Sequence, residues 1–157
     1  MPTTSSSAAL QSWVTRRPGA RLSPEADRTG LAVGSHSVLV VDDDRGVRRL
    51  TARMLRVAGY SVLEAASGEE ALRMLDADPG VRLVVTDIVM PGMDGLDLAD
   101  LALAKVPNLR VVLMTGHAPR LTDLLELRDA PLPVLLKPFT GEQLIDKVRD
   151  VLGDGVH

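Results

Sequence analysis

The sequence predicts an α/β fold in which five βα units form a doubly wound parallel sheet. From residue 37 to residue 152, short apolar segments alternate with segments of helical periodicity. Several apolar segments are almost continuously hydrophobic, which is typical of parallel strands that helices cover on both faces. Connections between such strands are right-handed, so we expect helices on both sides of the sheet.

The strand candidates are short segments dominated by Val and Leu, residue types that favour extended structure or a buried core. The segments between them contain polar residues, Gly and Pro, which fits strands that end at each boundary. The five candidates cover residues 37–41, 60–63, 81–86, 110–114 and 133–136.

The helix candidates carry apolar residues at a spacing of three and four. Gly59 follows the first candidate at the position where helices commonly end. Ser67 and Glu70 have the spacing of a capping box at the start of the second, and the same pattern recurs before the last. The five candidates cover residues 45–58, 68–76, 96–105, 122–128 and 141–152.

The chain divides into one domain and two flanking segments. Its 157 residues fit a single domain, predicted here at 37–153. Residues 1–36 are rich in Ser, Thr, Ala, Gly and Arg without sustained periodicity, which predicts a flexible N-terminal extension. An organellar transit peptide is the less favoured interpretation of this segment. Residues 154–157 form a short C-terminal tail.

The composition excludes several classes of function. Hydrophobic residues make up 45% of the chain, but no apolar run is long enough to span a membrane, so we expect a soluble, cytoplasmic protein. A net charge of -3 and an aromatic content of 2% argue against direct binding of nucleic acid. The absence of cysteine removes disulfides, thiol nucleophiles and Cys-ligated zinc.

Charged and hydroxyl side chains follow four of the five predicted strands. Asp42 and Asp43 come directly after the first strand, and Asp87 after the third. Thr115 follows the fourth strand and Lys137 the fifth. Because ligands of open α/β sheets bind at the carboxyl ends of the strands, we expect these side chains to converge there.

Carboxylates gathered in one crevice repel each other unless a cation neutralises them. Oxygen ligands without Cys or His suit a hard ion, so the sequence predicts a Mg²⁺ site. The Thr115 hydroxyl and the Lys137 ammonium can bind the remaining oxygens of an anionic group. Together these groups supply what phosphoryl transfer requires. Asp44, by contrast, is interpreted as an ordinary helix N-cap.

Four motifs occur in a fixed order along the predicted domain. They are Val-Val-Asp-Asp-Asp at 40–44, Thr-Asp-Ile-Val-Met-Pro-Gly-Met-Asp-Gly at 86–95, Met-Thr-Gly-His at 114–117 and Lys-Pro-Phe at 137–139. In this order and spacing they resemble the response regulator receiver domain of two-component signalling. The resemblance covers about residues 37–152 and implies a flavodoxin-like (βα)₅ sheet with strand order 2-1-3-4-5.

The resemblance implies a role for each acidic residue of the crevice. Asp87 resembles the phosphoacceptor. Asp42 and Asp43 resemble the acidic pair that holds Mg²⁺, with Asp87 and the backbone carbonyl of Val89 completing the protein ligands.

The resemblance also implies roles for the ends of the last two strands. Thr115 resembles the switch hydroxyl that closes on the phosphoryl oxygens, and Lys137 resembles the lysine that pairs with the phosphate. The peptide between Lys137 and Pro138 is expected to be cis.

Three positions bear on regulation. Val134 stands where family members usually carry an aromatic residue, so no ring can swing inward when the switch threonine moves. Val89 and His117 are candidate modulators of hydrolysis, although His117 is more simply explained as a surface histidine. The fourth helix candidate is short, which puts the usual output face in doubt.

The favoured function is that of a stand-alone response regulator. It accepts a phosphoryl group from a phosphohistidine of a histidine kinase or phosphotransfer protein and signals through protein contacts or a phosphorelay. Its downstream protein target is unknown. No output domain follows in the sequence, so DNA binding is not expected, and the chain is not predicted to be an enzyme. The motifs at 86–95 and 114–117 also resemble receivers of hybrid kinases.

Two alternatives remain at the sequence level. The first is a binding module that uses the receiver fold without phosphorylation, which the absence of an aromatic residue at Val134 favours. The second is a Mg²⁺-dependent phosphatase with an Asp nucleophile. Such an enzyme usually needs a second Asp two residues after the nucleophile, where this chain has Val89.

Overall fold

The computed structural model describes residues 37–116 and 132–153. The predicted N-terminal extension, the helix candidate at 122–128 and the C-terminal tail lie outside these ranges. His117 also lies outside them. No helix within the described ranges is long and apolar enough to span a membrane.

The described residues form alternating strands and helices. The strands are β1 (Ser37–Val41), β2 (Ser61–Ala65), β3 (Val81–Asp87), β4 (Arg110–Thr115) and β5 (Val134–Leu136). The helices are α1 (Arg45–Val57), α2 (Gly68–Ala77), α3 (Gly95–Lys105) and α4 (Gly141–Leu152).

The five strands form one parallel sheet in the order β2-β1-β3-β4-β5. This order confirms the predicted doubly wound sheet with strand order 2-1-3-4-5. β1, β3 and β4 occupy the interior of the sheet, and their carboxyl ends reach the same edge. The register pairs Val41 with Thr86, so Asp42, which follows β1, lies beside Asp87, the last residue of β3.

The strand ends differ slightly from the predicted ones. β2 begins at Ser61 rather than Tyr60 and continues to Ala65 because Val41 of β1 pairs with Ala65. The backbone N–H of Tyr60 donates instead to the carbonyl of Leu55 at 3.1 Å, which closes the end of α1. β3 and β4 each extend one residue further than predicted, to Asp87 and Thr115 respectively.

The core is aliphatic, as the low aromatic content requires. The apolar residues of the three interior strands are almost completely buried and pack against the inner faces of the helices. The largest fully buried side chains are Leu39, Leu55, Leu83, Leu98, Leu113, Met114 and Leu144. Burial of this kind is the main favourable contribution to folding. It anchors the strands whose ends carry the acidic residues.

The first helix begins at the predicted residue and ends at Val57, one residue before the predicted end, with Ala58 as its C-cap. The side chain of Asp44 accepts a hydrogen bond from the backbone N–H of Val47 at 3.1 Å, which confirms the N-cap interpretation. Gly59 follows the end of the helix with a φ of 106°, a conformation that glycine adopts without a steric penalty.

The capping box of α2 is displaced by one residue. Ser67 accepts from the N–H of Glu70 at 3.1 Å, as predicted, but the Glu70 carboxylate accepts from the N–H of Ala66 at 2.7 Å instead of from Ser67. At α4 the box is complete, with reciprocal hydrogen bonds between Thr140 and Gln143. Both arrangements pair N–H groups at a helix start that have no partner within the helix.

Candidate functional site

Three carboxylates meet at the carboxyl edge of the sheet. Asp42 and Asp43 follow β1 directly, and Asp87 is the last residue of β3. One ligand atom from each lies within 4.8 Å of the others. The predicted convergence of these three side chains is therefore present, and it follows from the pairing of β1 with β3.

The three carboxylates differ in their exposure to solvent. Asp42 is almost completely buried, Asp87 is partly buried and Asp43 is exposed. The Oδ1 atom of Asp42 accepts a hydrogen bond from the N–H of Asp44 at 2.9 Å, which holds the carboxylate toward the crevice. The cluster therefore has a fixed inner wall and a side that is open to a ligand from solvent.

Lys137 supplies a positive charge to this cluster. Its Nζ atom lies 3.0 Å from Oδ2 of Asp42 and 3.4 Å from Oδ1 of Asp87. The peptide between Lys137 and Pro138 is cis, as expected. The sequence predicts that Lys137 faces an anion opposite the carboxylates, whereas in the structure it bridges two of them. One ammonium cannot balance three carboxylates, so the site keeps an excess of negative charge.

The charges of the site shift the pKa of two groups. Burial raises the pKa of Asp87, the nearby Lys137 ammonium lowers it and the charge of Asp42 raises it, and the net result lies above the ordinary value of 3.8. For Lys137, burial lowers the pKa, but the hydrogen bond and charge of Asp42 outweigh that effect and the pKa is raised. Lys137 is therefore held firmly in its charged form.

Thr115 lies on β4, the neighbour of β3, and Val134 lies on the edge strand β5, the neighbour of β4. Thr115 ends β4 and is buried, and its carbonyl accepts the N–H of Lys137 at 2.8 Å. This hydrogen bond joins the two strand ends that carry the predicted phosphate-binding groups. Val134 begins β5, is partly buried and packs against the main hydrophobic cluster. Val134 therefore contacts the core from its margin.

The loop after Asp87 approaches the start of α3 closely. The N–H of Gly95 donates to the carbonyl of Ile88 at 2.8 Å. A Cβ atom on Gly95 would overlap the carbonyl oxygen of Asp87 and would lie 2.8 Å from the Cα of Ile88. The absence of a side chain at Gly95 is therefore needed for this close backbone contact. The side chain of Val89 is exposed, and its role as a carbonyl ligand stays a prediction.

Sequence reasoning missed one residue beside the cluster, Arg48 of α1. Its Nη1 atom donates to the carbonyl oxygen of Asp42 at 3.0 Å, and its Nε atom lies 3.3 Å from the Glu64 carboxylate. The spacing of Arg48 from the end of β1 is the only sequence feature that could have indicated this contact. Because the same helix carries several other arginines, the spacing does not single out Arg48.

The donor set fits a hard divalent cation. All three candidate ligands are carboxylates, they come from two adjacent strand ends, and Asp43 is accessible from solvent. Mg²⁺ prefers oxygen ligands and retains several waters, which an open cluster with one exposed carboxylate allows. The excess negative charge supplies the electrostatic attraction.

Comparison with known proteins identifies the family. The profile of the response regulator receiver domain matches residues 38–149. The chain belongs to this family. The receiver domain is 37% identical over 117 residues to the response regulator receiver protein CpdR of Brucella abortus, which covers 73% of this chain and 95% of CpdR. It is 39% identical over 113 residues to DctD of Rhizobium meliloti, a C4-dicarboxylate transport transcriptional regulatory protein, which covers 72% of this chain.

The similar proteins differ greatly in length. The chain spans 24% of DctD and 13% of the sensor kinase CckA of Brucella abortus, to which it is 38% identical over 120 residues and 76% of its own length. By contrast, it spans 93% of a chemotaxis protein CheY homolog from Campylobacter jejuni, at 34% identity over 75% of its own length. The receiver domain therefore resembles both short proteins and parts of longer ones.

Solved structures confirm the fold of the receiver domain. A response regulator receiver protein from Sinorhizobium medicae superposes with a TM-score of 0.68 at 31% identity, covering 76% of this chain and 95% of that one. The response regulator TrrA of Thermotoga maritima, solved in complex with Mg²⁺ and BeF, superposes with a TM-score of 0.65 at 32% identity and covers 74% of this chain and 98% of that one. The flavodoxin-like arrangement is thus shared.

Proposed function

We propose that this receiver domain accepts a phosphoryl group on Asp87 from a phosphohistidine, with Mg²⁺ bound by the acidic cluster. The observation that carries the proposal is the convergence of three carboxylates within 4.8 Å, with the Lys137 ammonium 3.4 Å from Asp87. Family membership supplies the donor class, a histidine kinase or a histidine phosphotransfer protein.

The chemical step is a displacement at phosphorus. A carboxylate oxygen of Asp87 forms the new bond to phosphorus while the phosphorus–nitrogen bond of the phosphohistidine breaks. The electron pair stays on the imidazole, which is protonated as it leaves. Asp87 must be ionised to attack, and it is accessible because its carboxylate lies at the open edge of the sheet and is only partly buried.

The remaining residues of the site stabilise the negative charge that develops on the transferred group. Lys137 can turn from Asp42 toward a phosphoryl oxygen, since its Nζ atom already lies 3.4 Å from Asp87. Thr115 lies on the neighbouring strand and is proposed to donate its hydroxyl to another phosphoryl oxygen. Mg²⁺ held by Asp42, Asp43 and Asp87, with the Val89 carbonyl, would neutralise charge on the transferring group.

On this proposal the chain acts as a stand-alone response regulator. It catalyses its own phosphorylation and dephosphorylation and turns over no external substrate, so it is not an enzyme in the ordinary sense. It signals through contacts with a downstream protein or by handing the phosphoryl group on, without direct binding of nucleic acid. Because the donor is a phosphohistidine protein and Mg²⁺ is required, the proposed site of action is the cytoplasm.

The proposal is tested by intact-mass measurement after incubation with acetyl phosphate and Mg²⁺. We expect one added phosphoryl group that is labile in alkali. Asp87→Asn should not be modified, whereas Asp94→Asn, which changes the N-cap of α3, should be modified like the wild type. Modification of the Asp87→Asn variant, or a label that maps to a serine of residues 1–36, would contradict the assignment.

A binding module that works without phosphorylation is the second candidate. Val134 favours it because a partly buried valine that packs against the core cannot transmit a signal by turning a ring. The two candidate functions predict different results in one measurement. This measurement is the affinity for a partner protein that the wild type has captured. Equal affinity of the wild type and the Asp87→Asn variant, with and without acetyl phosphate, would favour the binding module.

A further inference from the structure

We infer that Arg48 is a positioning residue for the metal site, acting through the backbone between Asp42 and Asp43. The inference rests on the proposed Mg²⁺ site and assigns a role to a residue outside the three-carboxylate cluster. Arg48 lies on α1, and its side chain points back to the end of β1. Its Nη1 atom donates to the carbonyl oxygen of Asp42 at 3.0 Å.

The arginine is held in place from two directions. Its backbone N–H donates to the carbonyl of Asp44 at 2.9 Å within the first turn of α1. Its Nε atom lies 3.3 Å from Oε1 of Glu64, and the two side chains are only 15% and 22% exposed. Glu64 is also contacted by Arg56 at 3.3 Å through its other oxygen. The guanidinium is therefore anchored on β2 while it binds the end of β1.

The group that Arg48 binds is the one that decides where Asp43 points. The carbonyl of Asp42 shares a rigid peptide plane with the N–H of Asp43. On the other side, the N–H of Asp42 donates to the carbonyl of Ala65 at 3.2 Å. Because hydrogen bonds hold the peptide groups on both sides of Asp42, the backbone torsion angles of Asp42 have little freedom to change. Asp43, the exposed member of the cluster, is thereby directed toward the other two carboxylates.

A guanidinium is suited to this task because its forked donors can bind two acceptors in fixed directions. A lysine carries the same charge but has a single nitrogen, so it cannot bridge the Asp42 carbonyl and the Glu64 carboxylate in the same way. Arg49, the next residue on α1, is exposed. It provides a control with the same charge at a neighbouring position.

The experiment is a calorimetric titration of the purified chain with Mg²⁺ alone. The variants are Arg48→Gln, Arg48→Lys and the control Arg49→Gln. If Arg48 positions the site, Arg48→Gln should weaken Mg²⁺ binding by about tenfold, the size of effect known for groups that orient metal ligands. Arg48→Lys should also weaken it, by several-fold, although the charge is retained. Arg49→Gln should bind within about twofold of the wild type.

If Arg48 acted only through its charge, Arg48→Gln would change the Mg²⁺ affinity in the opposite direction. Removing a positive charge beside an acidic cluster strengthens the attraction for a cation, so tighter Mg²⁺ binding by Arg48→Gln would overturn the inference. Binding equal to that of Arg49→Gln would overturn it as well. A purely structural role would lower Tm without changing the affinity of the folded protein. If Arg48→Gln fails to fold by circular dichroism, Arg48→Lys decides: wild-type affinity overturns the inference and weakened binding supports it.

The two levels of the proposal fail in different ways. Asp43→Asn removes a proposed ligand and should greatly weaken Mg²⁺ binding. A wild type that binds no Mg²⁺, or an Asp43→Asn variant that binds it equally well, would contradict the metal site itself and, with it, the role of Arg48. A metal site that depends on Asp43 but not on Arg48 would contradict the positioning role alone.

Discussion

At the residue scale, Lys137 serves as an internal counter-ion for the acidic cluster. It is closer to Asp42 than to Asp87, at 3.0 Å against 3.4 Å. Burial raises the pKa of Asp87, and the Lys137 ammonium offsets this only in part, so the pKa of Asp87 lies above its ordinary value. The structure thus predicts that Asp87, the proposed phosphoacceptor, destabilises the fold in its ionised form.

The first prediction follows from this destabilisation of the fold by the ionised Asp87 carboxylate. A raised carboxyl pKa means that the folded state holds the proton more tightly than the unfolded state. The associated stability is complete below about pH 3.8 and is lost as the pH rises through the folded-state pKa. At pH 7 without Mg²⁺, Asp87→Asn should therefore raise Tm relative to the wild type. Thermal melts by circular dichroism measure it.

The control for this prediction is Asp97→Asn. Asp97 is exposed in the first turn of α3, where a negative charge is favourable. We expect no gain in Tm from this change. An Asp87→Asn variant that melts at or below the wild type at pH 7 would refute the cost assigned to the ionised carboxylate. The gain should also shrink as the pH is lowered toward 3.8.

The second prediction separates two adjacent aspartates. Asp43→Ala should abolish Mg²⁺-dependent labelling by acetyl phosphate while the fold survives, because Asp43 is an exposed member of the cluster. Asp44→Ala removes the N-cap of α1 and should cost about 1 kcal/mol of stability while labelling persists. Intact mass and thermal melts measure the two effects. Undiminished labelling of Asp43→Ala would rule out its place in the site.

At the element scale, the close approach of α3 to the loop after Asp87 gives the third prediction. Gly95→Ala places a methyl group against the Asp87 carbonyl, which should cost about 3 kcal/mol and slow phosphorylation by displacing Asp87. Gly46→Ala is the matched control, because its Cβ would meet only Oδ1 of Asp44 at 3.4 Å. Replacing a helical glycine by alanine there should leave stability unchanged or raise it by up to about 1 kcal/mol.

Urea denaturation and the rate of labelling measure both variants. A Gly95→Ala protein as stable and as reactive as the Gly46→Ala protein would show that the backbone near Asp87 can move without consequence. The comparison is useful because the two changes add the same methyl group to the starts of two different helices.

The elements themselves were largely predictable from local patterns. Near-continuous apolar runs define the interior strands because both faces of those strands are buried, and the residues that follow them identify the site. The contacts between elements were not predictable. The preference of Lys137 for Asp42, the binding of Arg48 to β1 and the contact of Gly95 with Asp87 all depend on sheet register and helix packing. The spacing of residues along the chain does not encode sheet register or helix packing.

The capping box of α2 shows the same limit on a smaller scale. The spacing of Ser67 and Glu70 correctly predicts the start of a helix. It does not reveal that Glu70 accepts from Ala66 rather than from Ser67, because that choice depends on the path of the chain leaving β2. Sequence patterns thus locate a helix start better than they identify each hydrogen bond.

At the scale of the whole molecule, the composition of residues 1–36 gives the fourth prediction. Because this segment lacks sustained periodicity, we expect the domain to fold without it. Limited trypsin digestion should cleave at Arg16, Arg17, Arg21 or Arg28 and leave a resistant fragment that begins near residue 37. The 37–157 protein should keep its Tm within about 2 °C. A large loss of Tm on deletion would show that the segment packs on the domain.

The short strand β5 has a consequence for how fast the site can rearrange. It contains only Val134–Leu136, lies at one edge of the described sheet, and exposes 53% of Leu136. Its attachment to β4 includes the hydrogen bonds from Leu113 to the carbonyl of Pro133 and from Lys137 to the carbonyl of Thr115. An edge of this kind opens locally far more often than the interior strands unfold. Lys137 therefore lies at the end of an edge strand that opens locally, whereas the three carboxylates lie at the ends of the interior strands β1 and β3.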